Sequence, residues 1–217
     1  MFTGIVEAVG VLNELRRQGP TWVIKVHCPE LDLSDVKLGD SIATNGVCLT
    51  VTELGVDYYG ADVSGETVDR TGFAHYRVGQ AVNLEKALLP TTRLGGHLVS
   101  GHVDGVGTIA RRTVLGNSIE LWVDAPLALA RYIAIKGSIT VDGISLTIND
   151  VTDTGFKLTL VPHTLAVTTL QDWQPGRQVN LEVDIIARYL ERLLSAPTTA
   201  ESSNLTFATL AASGFIK

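Results

Sequence analysis

The sequence predicts an all-β protein of two tandem six-stranded β-barrels followed by one α-helix, and three observations carry that expectation. The first part of the chain returns at a constant offset of 97 residues, each copy is a series of short alternating strands, and one apolar stripe at helical spacing follows the second copy.

The repeat sets the domain count. Gly4-Ile5-Val6-Glu7-Ala8-Val9-Gly10 returns as Gly101-His102-Val103-Asp104-Gly105-Val106-Gly107, and Ser41–Val51 returns as Ser138–Ile148. Gly79–Glu85 is matched by Gly176–Glu182 and Glu66-Thr67 by His163-Thr164, all at one offset. A period this long, repeated once, is a duplicated small domain, because solenoid units are much shorter. The domains are therefore 1–97 with its linker, 98–184, and an appended helix and tail at 185–217.

Within the first copy, runs rich in Val, Ile, Thr and Leu alternate with polar residues and are punctuated by Gly, Asn, Asp and Pro. They predict strands near Ile5–Leu12, Trp22–His27, Ser41–Thr44, Cys48–Glu53, Tyr58–Val63 and Ala81–Glu85, with helical turns near Leu31–Val36 and Glu66–Phe73. Six short strands with no long helices between them favour a small closed barrel, which removes its own sheet edges. Leu88–Gly96, with Pro90 and paired threonines and glycines, reads as an exposed linker. Ile185, Ile186, Tyr189, Leu190, Leu193 and Leu194 then recur at helical spacing, a face that must be buried on its own subunit or on another. The tail from Pro197 to Lys217, rich in Ser, Thr and Ala, is expected to be flexible for part of its length.

Bulk properties narrow the function. Hydrophobic residues at 45% and charged residues at 18% are ordinary for a globular protein, and a net charge of −6 offers no attraction to nucleic acid or anionic membranes. No apolar run approaches a membrane span and the start has no leader-like pattern, so a cytoplasmic location is expected. Cys28 and Cys48 form no paired or metal-ligand motif, and a buried structural thiol is the default reading of each. Phosphate-binding loops, dinucleotide fingerprints and nucleophile elbows are missing from suitable contexts.

The aligned copies differ in chemical type at a few positions. Ile5 pairs with His102, Cys48 with Ser145, Asn45 with Asp142 and Glu66 with His163, while Ser41/Ser138 and Thr50/Thr147 stay hydroxyls. An imidazole suits proton transfer at neutral pH, and His102 follows a glycine where backbone can approach a ligand. A surface histidine on a turn is the plainer alternative. Cys48 is either a thiolate nucleophile or packing in an apolar strand. Ser145 and Thr147 share one strand face, where they could hold a ligand edge.

The opening Met1-Phe2-Thr3-Gly4-Ile5-Val6-Glu7, the two Gly-x-x-Val-Asn-Leu-Glu segments and Gly95-Gly96-His97-Leu98-Val99-Ser100-Gly101-His102 resemble the riboflavin synthase α-chain family, over residues 1 to about 190. The resemblance implies two Greek-key barrels and a C-terminal helix that assembles a homotrimer. It also implies a dismutation of two 6,7-dimethyl-8-ribityllumazine molecules, by four-carbon transfer, into riboflavin and a pyrimidinedione, with no cofactor and no metal.

By the same resemblance, one pocket is lined by Gly4, Ile5, Val6, Ser41, Val47, Cys48, Leu49, Thr50, Asp62, Val63, Ser64, Gly65, Glu66 and Thr67. The other is lined by Gly101, His102, Val103, Lys136, Ser145, Leu146, Thr147, Thr159, Leu160, Val161, Pro162, His163 and Thr164. The working site is implied to form between the first barrel of one subunit and the second of its neighbour, so that His102 faces Cys48 of another chain. His102, with Ser145 and Thr147, would assist deprotonation of the 7-methyl group, and Cys48, Ser41 or water would activate the other molecule. Holding two heterocycles in reacting geometry can itself supply roughly 7–11 kcal/mol. A non-catalytic lumazine- or flavin-binding antenna protein is the rival reading, countered by retention of Cys48, His102, Ser145 and Thr147. A ferredoxin-reductase-like flavin barrel would require an Arg-x-Tyr-Ser/Thr segment and a nucleotide domain, which are not here.

Overall fold

Alternation of buried and open positions builds the longer strands, the short ones are buried nearly throughout, and the 97-residue offset carries over to their ends. In the first copy they are β1 (Ala8–Gln18), β2 (Thr21–His27), β3 (Ser41–Thr44), β4 (Val47–Leu54), β5 (Tyr58–Ser64) and β6 (Ala81–Lys86). The second copy holds β7 (Gly105–Leu115), β8 (Ser118–Asp124), β9 (Ser138–Val141), β10 (Ile144–Val151), β11 (Gly155–Leu160) and β12 (Gln178–Val183). The structure, a computed structural model, describes residues 1–195 and 207–215.

Each copy closes into an antiparallel barrel, in the ring order β1-β2-β5-β4-β3-β6 and its equivalent β7-β8-β11-β10-β9-β12. Hairpin-linked β3, β4 and β5 with β2 returning beside β5 make the Greek key. The same positions fill both interiors: Leu12, Ile24, Ile42, Val51 and Leu84 in one, Ile109, Leu121, Ile139, Ile148 and Leu181 in the other. This is the predicted all-β architecture.

Two local expectations change. No helix forms at Leu31–Val36, where the Asp32 side chain accepts the Ser34 N–H (2.9 Å) and turns the chain instead. β1 begins at Ala8 rather than Ile5, because the residues before it leave for the other barrel. The turn after β5 is helical as expected: α1 (Gly65–Arg70) starts where Ser64 Oγ accepts the Thr67 N–H at 3.0 Å, and a 3₁₀ turn follows at Gly72–His75. Its counterpart α2 spans Pro162–Ala166.

The barrels meet about a pseudo-two-fold axis at the tips of two hairpins, Asn45-Gly46 and Asp142-Gly143. Asn83 Nδ2 donates to the Asp142 carbonyl (2.9 Å) and Asn180 Nδ2 donates to the Asn45 carbonyl (2.8 Å). Their Oδ1 atoms accept the N–H of Thr169 and Gly72 respectively. The symmetry breaks at Asp142, whose carboxyl is pushed up to about 6 by burial, against the pull of Arg177.

A carboxyl with a raised folded-state pKa favours the fold while protonated in it, so this stabilisation is full below about pH 4 and is lost as pH rises through about 6. The Asp142 contribution is expected to fall by about 2 kcal/mol between pH 4 and pH 8. Urea unfolding across that range checks it, with Asp142→Asn as the reference that lacks the slope; parallel profiles for the two proteins would contradict it.

After β12, α3 (Ile185–Ser195) is the predicted amphipathic helix, oriented with its polar side inward. Glu191 bonds Arg131 and Tyr132, and Arg188 bonds Asp104, all of the same chain's second copy. The apolar side faces out, with Ile186 52%, Tyr189 66%, Leu190 53%, Leu193 73% and Leu194 85% exposed. In the tail, Phe207–Ala212 forms a short helix, α4, while Pro197–Thr206 and the last two residues lie outside the described residues.

Candidate functional site

Both barrels have an opening in the same place. The β4–β5 ladder runs from Leu54↔Tyr59 to Val51↔Ala61, and Val47–Thr50 and Asp62–Ser64 lie outside it. The β10–β11 ladder likewise stops at Ile148↔Leu158, with Ser145–Thr147 and Thr159–Leu160 beyond it. A register shift sits beside each opening, at Val51/Glu53 and Ile148/Asp150, the kind of irregularity that bends a strand away from its neighbour.

Each opening is covered by the segment that leads the other copy. Cys48 N–H donates to the Gly101 carbonyl (2.9 Å), and Ser145 N–H donates to the Gly4 carbonyl (2.7 Å). Val103 packs on the first barrel's core and Val6 on the second's. Phe2 and Val99 exchange two backbone hydrogen bonds where the segments cross.

This corrects the grouping implied by the resemblance. Gly101–Val103 belong to the first opening with Cys48, Glu66 and Thr67, and Gly4–Val6 to the second with Ser145. His102 and Cys48 therefore line one cavity of about 220 Å³ within a single chain, and His102 is not brought to Ser145 and Thr147. Contacts between segments of the two copies set this arrangement, and no neighbouring subunit is needed for it.

Gly4 and Gly101 permit the close crossing. Both have positive φ (76° and 81°), and a Cβ on them would lie 2.7 Å from Ser145 Cβ and 2.6 Å from Cys48 Cβ. Two buried glutamates hold the turns. Glu85 accepts Thr3 N–H, Thr3 Oγ1–H and Gly4 N–H, and Glu182 accepts Ser100 N–H, Ser100 Oγ–H and Gly101 N–H, at 2.6–2.9 Å. Burial pushes both carboxyls upward, and these hydrogen bonds pull the other way.

Glu182→Gln keeps the shape but turns one acceptor oxygen into a donor, facing N–H groups. It is expected to destabilise the fold by about 2–3 kcal/mol, read by urea unfolding; a loss below about 0.5 kcal/mol would show that the turn does not depend on the carboxylate.

The linings differ as the aligned sequence indicates. Cys48 packs beside Phe2, Ala43 and Val99, with exposed His102 across the opening. Ser145 Oγ lies 2.7 Å from His97 Nδ1, whose Nε2 is 3.2 Å from Thr140 Oγ1, and burial holds this imidazole below its ordinary value. Ile5 and Ser41 line a larger cavity of about 520 Å³ against Glu85, Lys86 and the linker. Thr50 and Thr147 lie on the outer barrel faces, and Asp62, Ser64, Thr159, Val161, Pro162 and His163 are exposed around the openings. Exposed Lys136 has a left-handed φ of 66° where the first copy has Gly39. Cys28 is buried, with its thiol pushed up to about 11 by desolvation, which leaves it unreactive near neutral pH.

Three residues of the openings lie outside the candidates read from the sequence. Arg70 and Thr71 line the first cavity from the end of α1. His97 lies in a quoted motif, yet only the chain crossing brings it to Ser145.

Comparison with known proteins places this architecture. The lumazine binding domain model matches twice, at residues 3–87 and 100–184. The chain is 56% identical over 194 residues to riboflavin synthase of Photobacterium phosphoreum, with 89% of each chain covered. It is 44% identical over 216 residues to that of Actinobacillus pleuropneumoniae, covering 99% of this chain and 100% of the relative. The crystal structure of LumP complexed with 6,7-dimethyl-8-(1'-D-ribityl) lumazine aligns at TM-score 0.76 and 25% identity, over 84% of this chain and 99% of that one. With two matched lumazine binding domains and curated relatives along its whole length, the chain belongs to the riboflavin synthase family of enzymes.

Proposed function

We propose that this chain is a cytoplasmic, homotrimeric enzyme that converts two molecules of 6,7-dimethyl-8-ribityllumazine into riboflavin and 5-amino-6-ribitylamino-pyrimidinedione. One observation carries the reading: each chain holds two openings of the same backbone form with unequal linings, Cys48 and His102 at one, Ser145 with Ile5 at the other. Two identical substrates with opposite roles call for that pairing. Donor and acceptor of the four-carbon unit are the same compound, so the chemistry draws on no cofactor.

The Cys48 and Ser145 N–H groups are taken by the Gly101 and Gly4 carbonyls, and the rest of the strand edges left open, at Leu49–Thr50 and Asp62–Ser64 and at Leu146–Thr147 and Thr159–Leu160, offers backbone donors and acceptors to the ring's pyrimidine-like edge. Thr50, Thr67, Thr147 and Thr164 offer hydroxyls to the ribityl chain. At the first opening His102 takes a proton from the 7-methyl group of its lumazine, leaving a carbanion delocalised into the ring. Cys48 and Ser41 are the groups of the first copy, and Ser145 and Thr147 those of the second, that orient or activate the ligands.

Reaction between the two ligands requires them to stack. The outward apolar side of α3, whose polar side is already engaged on its own chain, supports assembly with further copies that brings a first opening against a second opening of a neighbour. The functional domains are 1–97, 98–184 and 185–217, with each opening borrowing its cover from the other copy. The absence, among the described residues, of any helix long and apolar enough to cross a membrane accords with the location.

Incubation with 6,7-dimethyl-8-ribityllumazine alone, without metal or nicotinamide, is expected to yield riboflavin and the pyrimidinedione in equal amounts. Tight binding with no turnover at any protein concentration would favour the antenna role instead. Mixing a Cys48→Trp variant, blocked at the first opening, with a Ser145→Trp variant, blocked at the second, is expected to restore activity in part. No recovery from oligomers shown to contain both chains would remove the shared site.

A further inference from the structure

The two crossing segments are mounted on their parent barrels in the same way, with one difference. Thr3–Glu7 sits on β6: besides the Glu85 bonds, Glu7 N–H donates to the Leu84 carbonyl and Lys86 N–H donates to Glu7 Oε1, both at 2.8 Å. Ser100–Asp104 sits on β12: besides the Glu182 bonds, Asp104 N–H donates to the Leu181 carbonyl and Val183 N–H donates to Asp104 Oδ2, both at 2.8 Å. After β6 the chain enters the linker. After β12 it enters α3, and Arg188 of that helix bonds the remaining oxygen, Asp104 Oδ1.

The ion pair is partly withdrawn from water, with the Asp104 side chain 13% exposed, and the Arg188 guanidinium also lies over the Tyr132 ring at 5.0 Å. Position 91, the counterpart of Arg188 in the first copy, is a threonine. A charged tie therefore joins the helix with the uncovered apolar side to the segment that carries the imidazole, two residues away from it, and among the described residues no equivalent tie reaches the segment of Ile5.

We infer that Arg188 is a positioning residue that couples α3 to His102, so that packing of α3 on another copy fixes the imidazole at the first opening. This rests on the assembly and reaction proposed above. Contact along the apolar side restrains the helix, the helix restrains Arg188, and Arg188 restrains Asp104. Asp104 and Glu182 together set the turn that lays Gly101 on Cys48 and presents His102. An unassembled chain would keep both openings yet hold His102 less firmly.

Full-length wild type, Arg188→Met, Arg188→Lys and Asp104→Asn test this by sedimentation velocity, by amide hydrogen exchange of peptides spanning 99–105 and 2–8, and by turnover of 6,7-dimethyl-8-ribityllumazine. Arg188→Met is expected to assemble, to exchange about five- to tenfold faster at 99–105 with no change at 2–8, and to lose kcat by a similar factor at nearly constant KM. Arg188→Lys should recover most of both effects. An assembled Arg188→Met whose exchange and kcat stay within about twofold of wild type overturns the inference. Should Arg188→Met fail to assemble, Asp104→Asn, which leaves α3 itself unaltered, decides by the same two readouts. A wild type that remains monomeric at every concentration defeats the assembly reading instead, and is recognised before any variant is compared.

Discussion

Gly101→Ala is expected to lower turnover about a hundredfold or more while leaving both barrels folded. The new methyl group would lie 2.6 Å from Cys48 Cβ and 2.8 Å from the Phe2 ring, and the positive φ of 81° adds strain of roughly 1 kcal/mol. Neither neighbour can withdraw, since Cys48 is fixed in β4 and Phe2 is fully buried. The segment must lift, breaking the Cys48 N–H bond to the Gly101 carbonyl and pulling Gly101 from Glu182. His102 moves with it, and a displacement of about 1 Å at a reacting group is enough for that loss. The measurement is kcat on 6,7-dimethyl-8-ribityllumazine beside circular dichroism. Gly116→Ala, at a positive φ of 59° with open space around it, supplies strain without collision and should stay near wild-type activity. Equal activity of the two variants would show that the placement of His102 is not needed.

Phe2→Ala is expected to have the largest effect on stability, a loss of about 3–5 kcal/mol, with a fall of about 10 °C in the melting temperature. Phe2 is one of the largest fully buried side chains, packed with Ala43 and Val99 and against partly buried Cys48 and Ala87, and its backbone joins the two copies through Val99. The cavity cannot close easily, because its walls are strands of a closed barrel and a paired backbone. Phe2→Leu, which refills most of the volume, should recover more than half of the loss. A melting temperature within about 2 °C of wild type for Phe2→Ala would mean that the crossing is held by its hydrogen bonds alone.

The barrels were legible because their signal is local and stated twice. Alternation at Trp22–His27 or Cys48–Glu53 can be read within a few residues, and the second copy repeats it at fixed offset. α3 was legible from its stripe, but which side met the protein was not. An ion pair from Arg188 to Asp104 and a hydrogen bond from the Tyr132 hydroxyl to Glu191 place the polar side inward, and such partners lie far away in sequence.

The linings of the openings were legible only as a set. Residues 4–6 and 101–103 stood out, but their exchange did not, since a segment leading either copy matches the equivalent surface of both barrels almost equally well. Only chain geometry, through Phe2↔Val99 and the hairpin tips at Gly46 and Gly143, decides which barrel receives which segment. The same crossing hid His97, whose imidazole reaches Ser145 and Thr140 some 43 to 48 positions away. At Leu31–Val36 a local side-chain turn at Asp32 takes the place of the expected helical turn.

The crossed segments bear on ancestry. Two single-copy chains that swapped their first residues across a two-fold axis would form this same body, and joining them through Leu88–Gly96 would leave every strand pairing in place. Such a dimer, however, is bound by its symmetry: a histidine introduced at one opening appears at the other. Fusion into one polypeptide lifts that constraint. It lets position 5 remain isoleucine while position 102 becomes histidine, giving two openings that can evolve as donor and acceptor without ceasing to fit one another.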